Sequence, residues 1–200
     1  MGRVIKPLLW AVVPAGAIFC IYAMFGNPRL VFADSEASDS KSARVTVEGG
    51  WEKGGSAPFL YEMEEDKEVF HTKSPSYRLY SSGWPEGTGM LVKEMSAKIF
   101  RGKRVRMSAY VKTEQVTEWA GLWMRIDSMN INAPLGFDNM HQRPIQGTTG
   151  WQKYEIVLDV PEGAQNIIFG MMLSGPGKAW LDDVRFDIVG RNVPVTGKTE

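Results

Sequence analysis

Past residue 43 the apolar positions recur every second residue in short runs, and none follows helical spacing. Gly, Pro, Asn and Asp separate the runs. The pattern predicts strands at Ala43–Glu48, Phe59–Met63, Tyr77–Ser81, Met90–Met95 and Arg104–Thr113. It continues with Trp119–Asp127, Leu135–Phe137, Trp151–Val160, Asn166–Leu173 and Lys178–Val189. Short strands with turn signals such as Pro161-Glu162-Gly163 and Ser174-Gly175-Pro176-Gly177 predict an all-β sandwich of two antiparallel sheets, with no internal repeat.

Alternation assigns faces to these strands. Val105, Met107, Ala109 and Val111 point inward from Arg104–Thr113, as do Tyr154, Ile156, Leu158 and Val160 from the later strand. In Trp119–Asp127 the inward set Ala120, Leu122, Met124 and Ile126 is complete. The opposite face then carries Trp119, Gly121, Trp123, Arg125 and Asp127. Two tryptophans, a guanidinium and a carboxylate on a solvent face mark a binding surface; the alternative is a covered face with Arg125–Asp127 as a simple ion pair.

The N-terminus has a different pattern. Arg3 and Lys6 precede 18 uncharged residues, Leu8–Phe25, and Val31-Phe32-Ala33 precedes Asp34. This order fits a signal peptide over 1–33, cleaved after Ala33. An uncleaved helical anchor spanning the membrane through residues 8–25 fits as well. Either reading exports the remainder, as a secreted domain or one held on the outer side of the cytoplasmic membrane. Residues 34–42 then form a flexible linker, 43–190 the domain and 191–200 a flexible tail.

Composition narrows the chemistry. The chain has 200 residues, with 23 basic and 23 acidic side chains, and this balance excludes a nucleic-acid binder. The leader holds Arg3, Lys6, Arg29 and Cys20, so the domain beyond it has 20 basic against 23 acidic residues and no cysteine. It must fold without disulfides. Its size allows one substantial core.

No nucleophile elbow, dinucleotide fingerprint or phosphate-binding loop is present. Glu62, Glu64, Glu65, Asp66 and Glu68 are the only dense carboxylates a glycoside hydrolase could draw on, and they read as a solvated turn. His71 and His141 lack a nucleophile signature and read as structural or surface residues. A sugar ring, by contrast, stacks its apolar face on Trp while Arg, Asp, Asn and Gln bond its hydroxyls. Trp119, Trp123, Arg125 and Asp127 supply such groups. The following loop adds Asn130, Asn132, Asp138, Asn139, His141, Gln142 and Arg143.

Gly150-Trp151-Gln152-Lys153-Tyr154-Glu155-Ile156-Val157-Leu158, with Val160–Ala164, Ile168-Phe169-Gly170 and Gly175–Phe186, resembles the final strands of galactose-binding-like jelly rolls of the carbohydrate-binding-module type. Gly102–Lys112 is similar to their central strand and Gly50-Trp51 to their opening, so the likeness covers Ala43–Gly190. Similar modules are carried by some AraC-type regulators, but no helix-turn-helix is present in this sequence. The resemblance implies a jelly-roll sandwich and a glycan or small polar ligand. It also implies a structural calcium held by the Asp of Trp180-Leu181-Asp182-Asp183-Val184 with Glu48. Alternation places Asp182 on the core side with Trp180, Val184 and Phe186. Calcium, an Arg or backbone N–H donors would each satisfy it there.

The sequence thus points to an exported domain that binds a glycan without transforming it. A sensory or protein-docking domain and a hydrolase are the rival readings.

Overall fold

In the computed structural model, residues 31–32, 44–129 and 133–199 are described. The leader's apolar segment, the 34–42 linker, Asn130 and Asn132 lie outside these residues. The strands are β1 Val31–Phe32, β2 Arg44–Thr46, β3 Glu52–Gly54, β4 Glu62–Asp66, β5 Ser76–Ser81 and β6 Thr88–Ser96. They continue as β7 Lys103–Asp127, β8 Gly136–Asp138, β9 Ile145–Val160, β10 Asn166–Ser174, β11 Gly177–Val189 and β12 Lys198–Thr199.

Two predicted strands, Arg104–Thr113 and Trp119–Asp127, are one strand of 25 residues, β7. The polar run Glu114–Glu118 interrupts the apolar alternation without ending the strand. Instead Gln115 takes φ 53° and the pairing with β9 slips three times between Val111 and Ala120. Such irregularities bend a strand. The first part of β7 pairs with β9 and β11, and β11 in turn carries β5 and β2. Its second part pairs with β10 and, through it, with β6 and β3; β8 flanks the other edge. A single twelve-stranded sheet therefore forms both layers.

The alternation holds on each side of Gln115 and changes phase by one residue across it. Val105, Met107, Ala109 and Val111 are buried from one layer, and Ala120, Leu122, Met124 and Ile126 from the other. They meet Phe169, Phe186, Leu91, Ile156 and Leu158 in one core.

Four local expectations change. Phe59–Met63 divides into a 3-10 turn, Pro58–Leu60, and the start of β4, because Pro58 presets the turn's φ. The carboxylate cluster is mostly strand: β4 pairs with β5, Glu64 bonds Arg78, and Asp66 accepts the Trp180 indole N–H at 2.9 Å. The segment from Arg191 onward returns to the sheet rather than hanging free. Thr196 N donates to Val157 O, Val157 N donates to the Thr196 hydroxyl, and β12 pairs with β8.

The fourth change is in β11. Its register to β7 shifts between Asp182 and Arg185, with Asp183 at φ 53°. This bulge moves the side-chain phase by one residue, so Ala179 and Leu181 precede Val184 and Phe186 in the core. Asp182 and Trp180 therefore lie opposite to the predicted side.

The loops at one end of the β6–β10–β7 layer are tied by Tyr61, which is fully buried. Its hydroxyl donates to Gly87 O at 2.9 Å and accepts from Gly175 N at 3.1 Å. Burial raises the phenol above its usual range, opposed by the Gly175 N–H. Tyr61→Phe leaves both backbone groups unpaired and is expected to cost roughly 1–3 kcal/mol, read as a lower urea midpoint at unchanged m.

Candidate functional site

The registers of β6, β10 and β7 fix the outward face of this layer in five rows. Ser96, Asn166 and Asp127 form the first, and Glu94, Ile168 and Arg125 the second. Val92, Gly170 and Trp123 follow, then Met90, Met172 and Gly121, then Thr88, Ser174 and Trp119. Alternation carries all of them away from the core. One end is charged, the middle is apolar and the far end mixes hydroxyls with an indole.

Trp119, Trp123, Arg125 and Asp127 therefore share a face, as their spacing predicts. Their exposure differs from expectation. Trp123 is only 5% exposed. Its indole lies along the sheet toward β6, where Nε1 donates to Leu91 O at 3.2 Å. Gly170 makes this possible: a Cβ there would stand 1.8 Å from the Leu91 carbonyl oxygen and 3.3 Å from the indole nitrogen. Arg125 Nε bonds Asp127 Oδ1 at 2.6 Å, and both side chains are largely buried. The arrangement is a low apolar floor with a fixed ion pair at its end. Trp119 is more open and meets His141 edge-on, with ring centroids 5.6 Å apart.

The polar loop divides. Asp138 lies opposite Met124 on β7, hence on the inward phase, away from Trp123 and Arg125. Its Oδ2 accepts Arg143 Nη2 and Thr196 Oγ1, both at 2.6 Å, and its Oδ1 accepts Met140 N at 2.8 Å. Burial works to raise this carboxyl, but Arg143, Thr196 and the Met140 N–H hold it below the usual aspartate range. Asp138 and Arg143 thus form a clasp for the C-terminal segment. Asn139 accepts His141 N at 3.1 Å, and its carbonyl oxygen lies 3.3 Å from where a Gly121 Cβ would be. This places Asn139 at the rim of the face; Gln142 is exposed in the loop.

Sequence reasoning missed three groups. Glu94 joins the charged end, its carboxyl raised by burial and by the charge of Asp127, against a hydrogen bond from Asn166. Pairing the predicted strands Met90–Met95 and Asn166–Leu173 beside Trp119–Asp127 would have found Glu94 and Asn166. The third is Trp84, 78% exposed in the turn before β6. Its signal was the run Ser82-Gly83-Trp84-Pro85, which offers no strand face to bury an indole.

The residues expected to hold calcium do not fit that ion. Asp182 Oδ2 accepts the backbone N–H of His71 at 2.8 Å and of Thr72 at 3.3 Å, while Oδ1 accepts Asp183 N at 2.7 Å. Glu48 Oε1 pairs with Lys73 at 3.1 Å. The carbonyls of Glu48 and Gly49 take the buried Lys93 ammonium. Backbone donors and lysines hold the oxygens a cation would need. Among the described residues no group of three or more His, Cys, Asp or Glu could hold a metal ion.

The β-sandwich fold is shared with solved structures that include a carbohydrate-binding module. One solved relative, the Clostridium thermocellum endo-1,4-beta-D-xylanase 10B CBM22-1–GH10 modules complexed with xylohexaose, superposes with a TM-score of 0.52 at 14% identity, over 74% of this chain and 27% of that one. The enzymatically active domain of bacteriophage CBA120 tailspike protein 4 gives 0.51 at 13% identity, over 70% of this chain and 19% of that one. In sequence, the chain is 44% identical over 149 residues to the uncharacterized HTH-type transcriptional regulator YbfP of Bacillus subtilis (strain 168). That match covers 74% of this chain and 50% of the regulator, so the chain spans about half the length of this curated relative. No protein-family model matches the chain.

Proposed function

We propose that this domain is a non-catalytic carbohydrate-binding module whose ligand lies on the outer face of β7, β10, β6 and β3. The observation that carries the reading is the convergence of Trp119, Trp123, Arg125, Asp127, Glu94 and Asn166 on one face of three adjacent strands. Its apolar centre suits the CH face of a sugar ring, and its charged end suits hydroxyls. Export through residues 1–33, to a secreted or membrane-held position, belongs to the same proposal.

Binding of the full chain to an array of xylo-, gluco- and galacto-oligosaccharides tests it. Trp119→Ala is expected to weaken the selected glycan about tenfold or more while leaving the fold intact. A folded variant with unchanged affinity, or a wild-type chain that retains no glycan, would overturn the reading.

A second reading rests on the identity with an HTH-type regulator. On it, the same face serves a sensory or protein-docking domain, with ligand occupancy relayed to a partner. Capture of a protein partner that survives in the wild type but is lost in Trp119→Ala, with no glycan retained, favours this second reading.

A further inference from the structure

The other layer carries a second polar hollow on its outer surface, lined chiefly by Arg106, Ser108, Tyr110, Lys153, Arg185 and Asp187. Strand register builds it: Arg185 stands opposite Ser108 and Asp187 opposite Arg106, with Lys153 opposite Tyr110. These are the outward positions of β7, β9 and β11, facing away from the core that Met107 and Ala109 enter.

The two guanidiniums are more loosely paired than four other arginines of the fold. Arg44, Arg104, Arg125 and Arg143 meet their carboxylates at 2.6, 2.8, 2.6 and 2.6 Å. Arg106 stands 3.6 Å from Asp187 and 3.8 Å from Glu155, and Arg185 stands 3.6 Å from Asp183. Arg106 Nε is buried and, among the described residues, has no hydrogen-bond partner. A buried donor without an acceptor is costly, and a guanidinium offers five N–H groups in a planar fork. Around the hollow, Arg44, Arg106, Lys153 and Arg185 exceed the carboxylates Asp183, Asp187 and Glu155 by one charge, with Lys153 meeting Glu155 at 2.7 Å. The excess positive charge favours an anion, and the forked donors of Arg106 and Arg185 suit a planar pair of oxygens.

We propose that this hollow binds a carboxylate, with Arg106 and Arg185 as its forked donors and Lys153 as a supporting charge. The site lies on the opposite layer from the aromatic face and does not depend on it. A carboxylate can come from a uronic sugar or from a small free acid.

Titration of the full chain with galacturonate, acetate and galactose, followed by the guanidinium Nε–H resonances of Arg106 and Arg185, separates these sources. Saturating shifts with galacturonate and acetate, and none with galactose, support a carboxylate site. Galacturonate binding about tenfold tighter than acetate adds recognition of the sugar ring. Arg185→Gln and Arg106→Lys are each expected to weaken binding about tenfold, and raised salt to weaken it further. Arg185 is half-exposed, so its variant stays informative even if Arg106→Lys fails to fold. The proposal is overturned if neither acid shifts these resonances at millimolar concentration, or if folded Arg185→Gln retains wild-type affinity.

Discussion

Gly170→Ala is expected to lose at least ~3 kcal/mol of stability, read as a collapse of the urea midpoint and of near-ultraviolet tryptophan dichroism. The added methyl would have to occupy a point 1.8 Å from the Leu91 carbonyl oxygen, which is backbone of the neighbouring strand and cannot rotate aside. Separating β6 from β10 would relieve the clash. It would also break the nine-residue pairing between Asn166–Ser174 and Thr88–Ser96 and the Trp123–Leu91 bond. Phe169 and Met171 flank the site in the core and anchor β10 on both sides. If the variant melts within a degree of wild type, the close approach of Leu91 to Gly170 is wrong.

Asp138→Ala is expected to cost roughly 2–4 kcal/mol, because it strips two donors and a guanidinium of their shared acceptor. Its signature is acid dependence. The Asp138 carboxyl is held below the usual aspartate range in the folded chain, so the unfolded chain binds the proton more readily. The stabilisation is complete above the ordinary aspartate range and disappears as pH falls through the lowered native value. The wild-type midpoint should therefore fall on acidification, and Asp138→Ala should remove part of that slope. Protease susceptibility of the Arg191–Thr199 segment should rise in the variant at neutral pH, since Thr196 loses its side-chain anchor. Parallel acid profiles for the two proteins would contradict the clasp.

The fold was legible where period-two alternation is unbroken. Along β7, Val105 to Val111 enter the core on one phase and Ala120, Leu122, Met124 and Ile126 on the other, each run unbroken on its own side of Gln115. Alternation failed at β11, where the Asp182–Asp183 bulge shifts every later residue by one. An Asp can adopt positive φ, but Leu181-Asp182-Asp183-Val184 does not announce that it will.

The candidate site was legible by face and not by depth. Trp123, Arg125 and Asp127 had to lie together, yet the burial of Trp123 depends on Gly170, a distant residue brought alongside only by strand register. Asp138 was misplaced for a related reason: its phase is set by its pairing with Met124, which a polar loop composition does not contain.

Because β7 supplies the middle of both layers, the sandwich has no seam along which it could be divided. Cutting the chain near Gln115 would part the first half of β7 from β9 and β11, and β6 from β10, so neither fragment should fold by itself. The same continuity links the carboxylate hollow and the aromatic face through one bent ribbon, with Tyr110 before the bend and Trp119 just beyond it. A change of bend at Gln115 would tilt one surface against the other, carrying β9 with it.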